Sequence, residues 1–223
     1  MRRRAGTSFL LVAGVGLAAL VIVAGVRGER DAFTLGVATS GPAVRVAPGH
    51  ETCQLPVATP EAFGGVRIKI GTFGRESGPA ADVLVRRADD DQILTRTTTS
   101  GYADNETVTV TFPREIPADQ AVSVCLANRG SGPLAPYGSS PLSNRTSDAY
   151  LDGRPVAQDI SLVFVRADER SLLGLLPAVL DHASLFHGSW TSTGFYWVLL
   201  AVAVLVVPLL LLLAVRSSVD EAS

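Results

Sequence analysis

Regular alternation of apolar and polar residues dominates the middle of the chain. Val66, Ile68 and Ile70 alternate with Arg67 and Lys69, and the same period of two returns in several later segments. Successive side chains of a strand point to opposite faces, so this period predicts strands with one buried face. The later segments are 83–85, 108–112, 122–126 and 160–164.

The spacing of these segments indicates the fold class. Turn-forming residues separate them, including the hairpin signal Asp152-Gly153 and the loop 130–133. Many short strands without intervening helices favour an antiparallel sandwich over an α/β fold. We therefore expect residues 28–168 to form a mainly β domain, an antiparallel, jelly-roll-like β-sandwich.

Two uncharged apolar runs lie outside this region, at 8–26 and 195–215. A helix rises about 1.5 Å per residue and the hydrocarbon core of a membrane is about 30 Å thick, so both runs are long enough to span it. The sequence predicts two transmembrane helices flanking the β domain.

Charge next to the first run predicts the orientation. Arg2, Arg3 and Arg4 precede it, and such clusters stay on the cytoplasmic side. We expect 1–7 and 216–223 to be cytoplasmic and the β domain to be extracytoplasmic, in a two-pass protein of the cell membrane. The first run is interpreted as an uncleaved signal anchor, with a cleavable signal peptide as the alternative.

The segment 170–188 differs from both the strands and the spans. It carries a broad apolar face with few charges, which predicts a juxtamembrane amphipathic helix interrupted near Pro177. Trp190, Tyr196 and Trp197 follow at the entry of the second span, where aromatic side chains favour the headgroup region.

Cys53 and Cys125 both fall in the region expected outside the membrane. An oxidising compartment lets a disulfide form and persist, so we expect these cysteines to be paired. Two buried free thiols and a metal site are the alternatives.

Charge and motifs narrow the classes of function. The formal net charge is −2, with both signs spread along the chain, which argues against nucleic acid as a partner. The sequence has no G-x-S-x-G, H-E-x-x-H or P-loop motif, and His50, His182 and His187 are interpreted as surface or interfacial residues. We expect a protein that is not an enzyme, with no catalytic residue, cofactor or metal. A solvated turn explains Asp89 to Asp91, with calcium binding as the alternative.

Sandwich domains that bind sugars stack them on aromatic rings and use Arg, Asp and Asn as polar partners. The residues of these types in predicted loops and strand ends form the candidate ligand-binding set. They are Arg75, Tyr102, Asp104, Asn105, Tyr137 and Tyr150.

Four segments together resemble a known family. Residues 66–75, 81–85, 102–110 and 122–126 are similar to the accessory β-sandwich of the galactose-binding-like type, over about half the chain. Such domains occur in bacterial, actinobacterial-type cell-envelope membrane proteins, often beside glycosyltransferases that build surface polysaccharides. The resemblance implies carbohydrate binding, and a glycosyltransferase as a polytopic membrane partner. This sequence contains no glycosyltransferase domain of its own.

Three functions fit these observations. The first is a non-catalytic, membrane-anchored module that binds glycan or assists cell-envelope polysaccharide assembly. The second is a structural or assembly subunit of a membrane protein complex, whose membrane helices carry the specificity. The third is an exported hydrolase, for which the spacing of residues gives no support.

Overall fold

The computed structural model describes residues 2–140, 147–185, 193–211 and 213–214. The chain divides into two compact units. One comprises Arg30–Asp168 and the other comprises Met1–Glu29 together with Glu169–Ser223. The first is mainly antiparallel β and the described part of the second is mainly helical.

The strands of the chain are β1 (Gly28–Thr34), β2 (Gly41–Pro42), β3 (Glu51–Ala58), β4 (Phe63–Gly71), β5 (Ala81–Arg87), β6 (Ile93–Thr99), β7 (Glu106–Ile116), β8 (Ala121–Asn128), β9 (Ala135–Ser139), β10 (Asp148–Leu151), β11 (Arg154–Pro155), β12 (Asp159–Ile160) and β13 (Val163–Ser171). Among the described residues, one sheet has seven strands in the order β1-β13-β4-β9-β12, with β7 beside β4 and β2 beside β9. The other has six described strands in the order β11-β10-β3-β8-β5-β6. The prediction of a mainly β, antiparallel fold is confirmed.

The hydrophobic core lies between the two sheets. Val66, Ile68 and Ile70 of β4 are buried, as their alternation with charged residues predicts. Phe63 and Phe164 meet edge to face, with ring centroids 4.9 Å apart. Side chains of the second sheet complete the cluster, namely Val57, Val83, Val85, Val122, Val124 and Leu126. Two antiparallel sheets around a shared core are consistent with a β-sandwich.

The helices are α1 (Arg2–Val26), α2 (Leu172–Leu185) and α3 (Thr193–Ala201), which continues into a π-helical turn, Val202–Val206. The Val207 amide bonds to the Val202 carbonyl, five residues back, directly before Pro208. Proline has no amide hydrogen, so one hydrogen bond of the helix is missing at Pro208. A local π-helical turn is a common way for a helix to accommodate the missing bond.

The prediction of two transmembrane helices is supported only for the second. Gly194–Leu211 has a mean hydropathy of 2.6 and is long and apolar enough to cross a membrane. In α1 the apolar stretch among the residues whose side chains are described is Gly14–Val26. Among the described residues, Gly194–Leu211 is therefore the one helix long and apolar enough to span a membrane, and a second span is not supported.

Several predicted segments fall partly outside the described residues. A helix occupies most of the predicted segment 170–188 as α2, but it begins at Leu172 after β13 and continues through Pro177, so the predicted interruption is wrong; residues 186–188 are not described. The same is true of residue 215, at the end of the second apolar run, and of the predicted tail 216–223.

Candidate ligand-binding loops

Five connections meet at one end of the β unit, which we call the loop end. They are residues 43–50, 72–80, 100–105, 129–134 and 152–153. The strand register places them together, because Glu51 and Asp82 both pair with Ala127. A hydrogen bond from the Asn128 side chain at the end of β8 to the Val46 carbonyl and the Val46–Leu134 bridge connect two of these loops, 43–50 and 129–134.

Asp104 organises the loop after β4. Its carboxylate accepts the backbone amides of Thr72 at 2.5 Å and Gly74 at 3.0 Å. These backbone hydrogen bonds, led by the one from Thr72, lower the pKa of Asp104. The carboxylate thus holds Phe73 in a left-handed conformation, with φ 60°. Asp104 therefore positions the loop.

Tyr137 and Asn105 meet beside the end of β4. The Tyr137 hydroxyl donates to the side-chain oxygen of Asn105. The Lys69 ammonium lies 4.6 Å from the centre of the Tyr137 ring, a cation–π contact. A Cβ at Gly71 would stand 3.1 Å from that ring, so the glycine allows the ring to lie close to β4.

Phe73 presents an exposed ring on the same loop. The residue is 51 % exposed, and the Arg45 guanidinium lies 5.1 Å from the centre of its ring. The sequence pattern does not single out Phe73, Arg45 or Lys69. The only signal is an aromatic residue between Thr72 and Gly74 in a turn, which is an unusual place for one.

Tyr102 and Arg75 have structural surroundings at the same end. Tyr102 is only 4 % exposed, and its ring packs against Gly78, where a Cβ would overlap it. Burial raises the pKa of Tyr102 to about 12, although the charge of Arg75 acts in the opposite direction. The Arg75 guanidinium donates to the Pro133 carbonyl. Both residues therefore shape the loop end from within.

The structure brings five of the six predicted ligand-binding residues to the loop end. Those five are Arg75, Tyr102, Asp104, Asn105 and Tyr137. Tyr150 lies elsewhere, on β10 opposite Cys53, where its carbonyl accepts the Thr52 hydroxyl at 2.8 Å.

Cys53 and Cys125 lie directly opposite each other on β3 and β8, with sulfur atoms 2.14 Å apart in a disulfide. Arg86 forms two hydrogen bonds with Glu51 beside them, at 2.7 and 2.8 Å. This ion pair covers the outer face of the second sheet, where Cys125 is buried. The disulfide between Cys53 and Cys125 agrees with the pairing predicted from the sequence.

Asp89 to Asp91 form the turn between β5 and β6. Asp90 pairs with Arg87 at 3.0 Å and caps the Gln92 amide at 3.1 Å. Asp91 adopts φ 56° and lies 3.8 Å from Arg86. A turn held by arginines thus accounts for two of these three carboxylates.

A second polar cluster at the loop end involves His50. Its Nδ1 lies 2.5 Å from the Asp152 carboxylate, and that carboxylate also accepts the Glu51 amide at 3.0 Å. These bonds, first the one from the Glu51 amide, lower the pKa of Asp152. A cavity of about 500 Å³ opens here, lined by His50, Leu151, Asp152, Arg154, Pro155 and Val156. The sequence pattern predicts the hairpin at Asp152-Gly153 but not its pairing with His50.

The two clusters offer different chemistry. The first presents the exposed ring of Phe73 and the partly exposed ring of Tyr137 with cationic and amide groups around them, a combination suited to stacking and hydrogen bonding with a polar ligand. The second offers an oriented imidazole beside an arginine.

No family model matches the sequence, and no curated protein matches it.

Proposed function

We propose that the protein is a non-catalytic, membrane-anchored module that binds glycan at its loop end and assists the assembly of cell-envelope polysaccharide. The observation that carries this proposal is the pair of rings beside a polar turn, the exposed Phe73 and the partly exposed Tyr137, each with a cationic side chain over it. A galactose-binding-like, jelly-roll sandwich would be its fold family, as the resemblance in sequence implies.

Sugars suit such a surface because they are amphipathic. Their C–H faces stack on aromatic rings while their hydroxyl groups exchange hydrogen bonds with polar side chains. Asn105 is exposed, and the cationic groups of Lys69 and Arg45, which are hydrogen-bond donors, lie over the rings of Tyr137 and Phe73. Asp104 supports this surface from below, because its oxygens already accept backbone amides.

The proposed location is the outer face of the cell membrane. The helix Gly194–Leu211 anchors the chain in lipid. We propose α1 as a second anchor, retained as a signal anchor, because Arg2, Arg3 and Arg4 favour a cytoplasmic N-terminus. Both termini would then be cytoplasmic and Arg30–Asp168 would face outward.

Glycan binding can be tested with the full chain in detergent micelles or nanodiscs on a glycan array. Phe73→Ala and Tyr137→Ala should each weaken binding of any captured glycan by about tenfold, the equivalent of losing about 1.4 kcal/mol of stacking. Ile93→Ala is the matched control, because Ile93 is 47 % exposed and lies beside the Asp89–Asp91 turn. Absence of any captured glycan, or equal loss in the control, contradicts the proposal.

The second candidate is an assembly subunit of a membrane protein complex. In the described part of the chain, none of the Gly194–Leu211 window is buried, so its surface is available for lipid or for a partner helix such as one of a glycosyltransferase. Cross-linking in native membranes distinguishes the two functions. A stable partner captured through Val204 or Leu205, without glycan binding, would favour assembly.

A further inference from the structure

We propose that the cavity beside His50 binds a sugar-sized, hydroxylated carboxylate, with Arg154 holding the carboxylate and His50 accepting a ligand hydroxyl. This site shares no residue with the Phe73–Tyr137 surface. The two assignments therefore stand or fall separately.

The orientation of His50 is set by its neighbours. Nδ1 faces the Asp152 carboxylate at 2.5 Å, so in the neutral ring Nδ1 carries the hydrogen and donates it. Nε2 is then an acceptor on the other side of the ring. The backbone of His50 is also fixed, because its amide bonds to the Ala47 carbonyl and its carbonyl accepts the Asn128 amide. A preset imidazole can accept a ligand hydroxyl without rearrangement.

The backbone conformation and the hydrogen bonds of Asp152 fix the position of its carboxylate. It occupies the tight turn between β10 and β11 with φ 47°, followed by Gly153 at φ 77°. Its second oxygen accepts the Glu51 amide at 3.0 Å. Because both oxygens of Asp152 already accept hydrogen bonds, the carboxylate orients His50. Arg154 and His50 are then the polar groups that contact the ligand.

Arg154 supplies the positive charge of the cavity. It pairs with Leu151 across the hairpin and is exposed. In the described part of the chain its side chain forms no ion pair within 4 Å, although its charge acts on Asp152 at longer range. The planar guanidinium can donate two parallel hydrogen bonds to a carboxylate, which makes it the group suited to that part of a ligand.

The remaining wall is apolar, consisting of Leu151, Pro155 and Val156. Val156 is anchored by its amide, which bonds to the Ala149 carbonyl at 2.9 Å. A volume of about 500 Å³ falls within the range of small-molecule sites. A ligand with a carbon ring against this wall, one carboxylate and free hydroxyls satisfies every group that lines the cavity.

Calorimetric titration of the full chain in nanodiscs tests the site with three probes. Glucuronate carries the ring, the hydroxyls and the carboxylate, whereas glucose lacks the charge and inorganic phosphate lacks the ring. Glucuronate should bind at least tenfold more tightly than either of the other two. Failure of glucuronate to saturate the protein, or equal affinity for glucose or phosphate, would overturn the proposal.

Variants then locate the binding. Arg154→Gln and His50→Gln should each weaken glucuronate binding about tenfold, and Arg154→Lys should recover only part of the loss because it lacks the planar fork. Arg114→Gln, at an exposed arginine of β7, is the matched control and should bind as the unmodified chain does. Unchanged affinity in Arg154→Gln, with an unaltered melting curve, counts against the site.

Discussion

The hydroxyl of Tyr102 is a buried polar atom for which the described residues provide no hydrogen-bond partner. Leaving such a group unpaired typically costs about 1–3 kcal/mol relative to its exposure in the unfolded chain. The ring itself fits closely, since it packs against Gly78. The side chain therefore stabilises the loop end through its ring and destabilises it through its oxygen.

Tyr102→Phe should raise the free energy of unfolding by about 1 kcal/mol at neutral pH. The raised pKa adds an alkaline effect, because the folded state resists ionisation that the unfolded state allows. Wild-type stability should fall as the pH rises from 10.0 towards about 12, and the variant should lack this fall. Denaturant unfolding at pH 7 and at pH 11 measures both effects. A variant less stable than the wild type at pH 7 would mean that the hydroxyl has a partner.

Asp104→Asn tests whether one carboxylate holds the Phe73 loop. The amide side chain accepts hydrogen bonds more weakly, so the amides of Thr72 and Gly74 should exchange with solvent faster than in the wild type. Because the pKa of Asp104 is lowered in the folded state, its carboxylate stabilises the fold above pH 3.8. This stabilisation is lost as the pH falls through the pKa of the folded state. Asp119→Asn, at another turn residue with φ 59°, is the control for hydrogen exchange. If the amides of Thr72 and Gly74 exchanged as slowly in Asp104→Asn as in the wild type, the result would contradict this role.

At the scale of elements, the second sheet is joined covalently through its central strands. The disulfide connects β3 and β8, which lie 72 residues apart at the bonded positions. Closing a loop of this length restricts the unfolded chain, which favours the folded state. The Arg86–Glu51 pair lies directly over the bond.

Replacing both cysteines, Cys53→Ala with Cys125→Ala, should lower the free energy of unfolding by about 4 kcal/mol in the chain-entropy estimate. Chemical denaturation of the full chain in detergent gives the measurement, with the reduced wild type as a comparison that retains both side chains. A loss below about 1 kcal/mol in both samples would show that the sheet is held by its strand pairing and core alone.

For the whole molecule, the proposed topology has a direct test. Gln92 is exposed on the β unit, so Gln92→Cys should react in intact cells with a maleimide that cannot cross the membrane. Ser217→Cys, in the predicted cytoplasmic tail, should react only after the cells are opened. If Gln92→Cys did not react with the maleimide in intact cells, the β unit would lie on the cytoplasmic side. The protein could then not bind glycan outside the cell through this unit.

Local patterns were sufficient for much of the β unit. The alternation around Ile68 and Ile70 predicts which residues of β4 are buried, because side-chain direction in a strand depends only on neighbouring positions. Likewise, length and hydropathy alone identify the apolar run after Gly194 as a helix that could cross a membrane.

The sequence by itself thus determined the mainly antiparallel β class, the buried face of β4 and one helix that could cross a membrane, all of which follow from residues close together in the chain. Only the tertiary structure decided that Cys53 faces Cys125, that Asp104 holds the Phe73 loop and that His50 meets Asp152. These contacts join residues far apart in sequence, and they depend on the order and register of strands. No local pattern encodes that order, because it is selected by the packing of both sheets around one core.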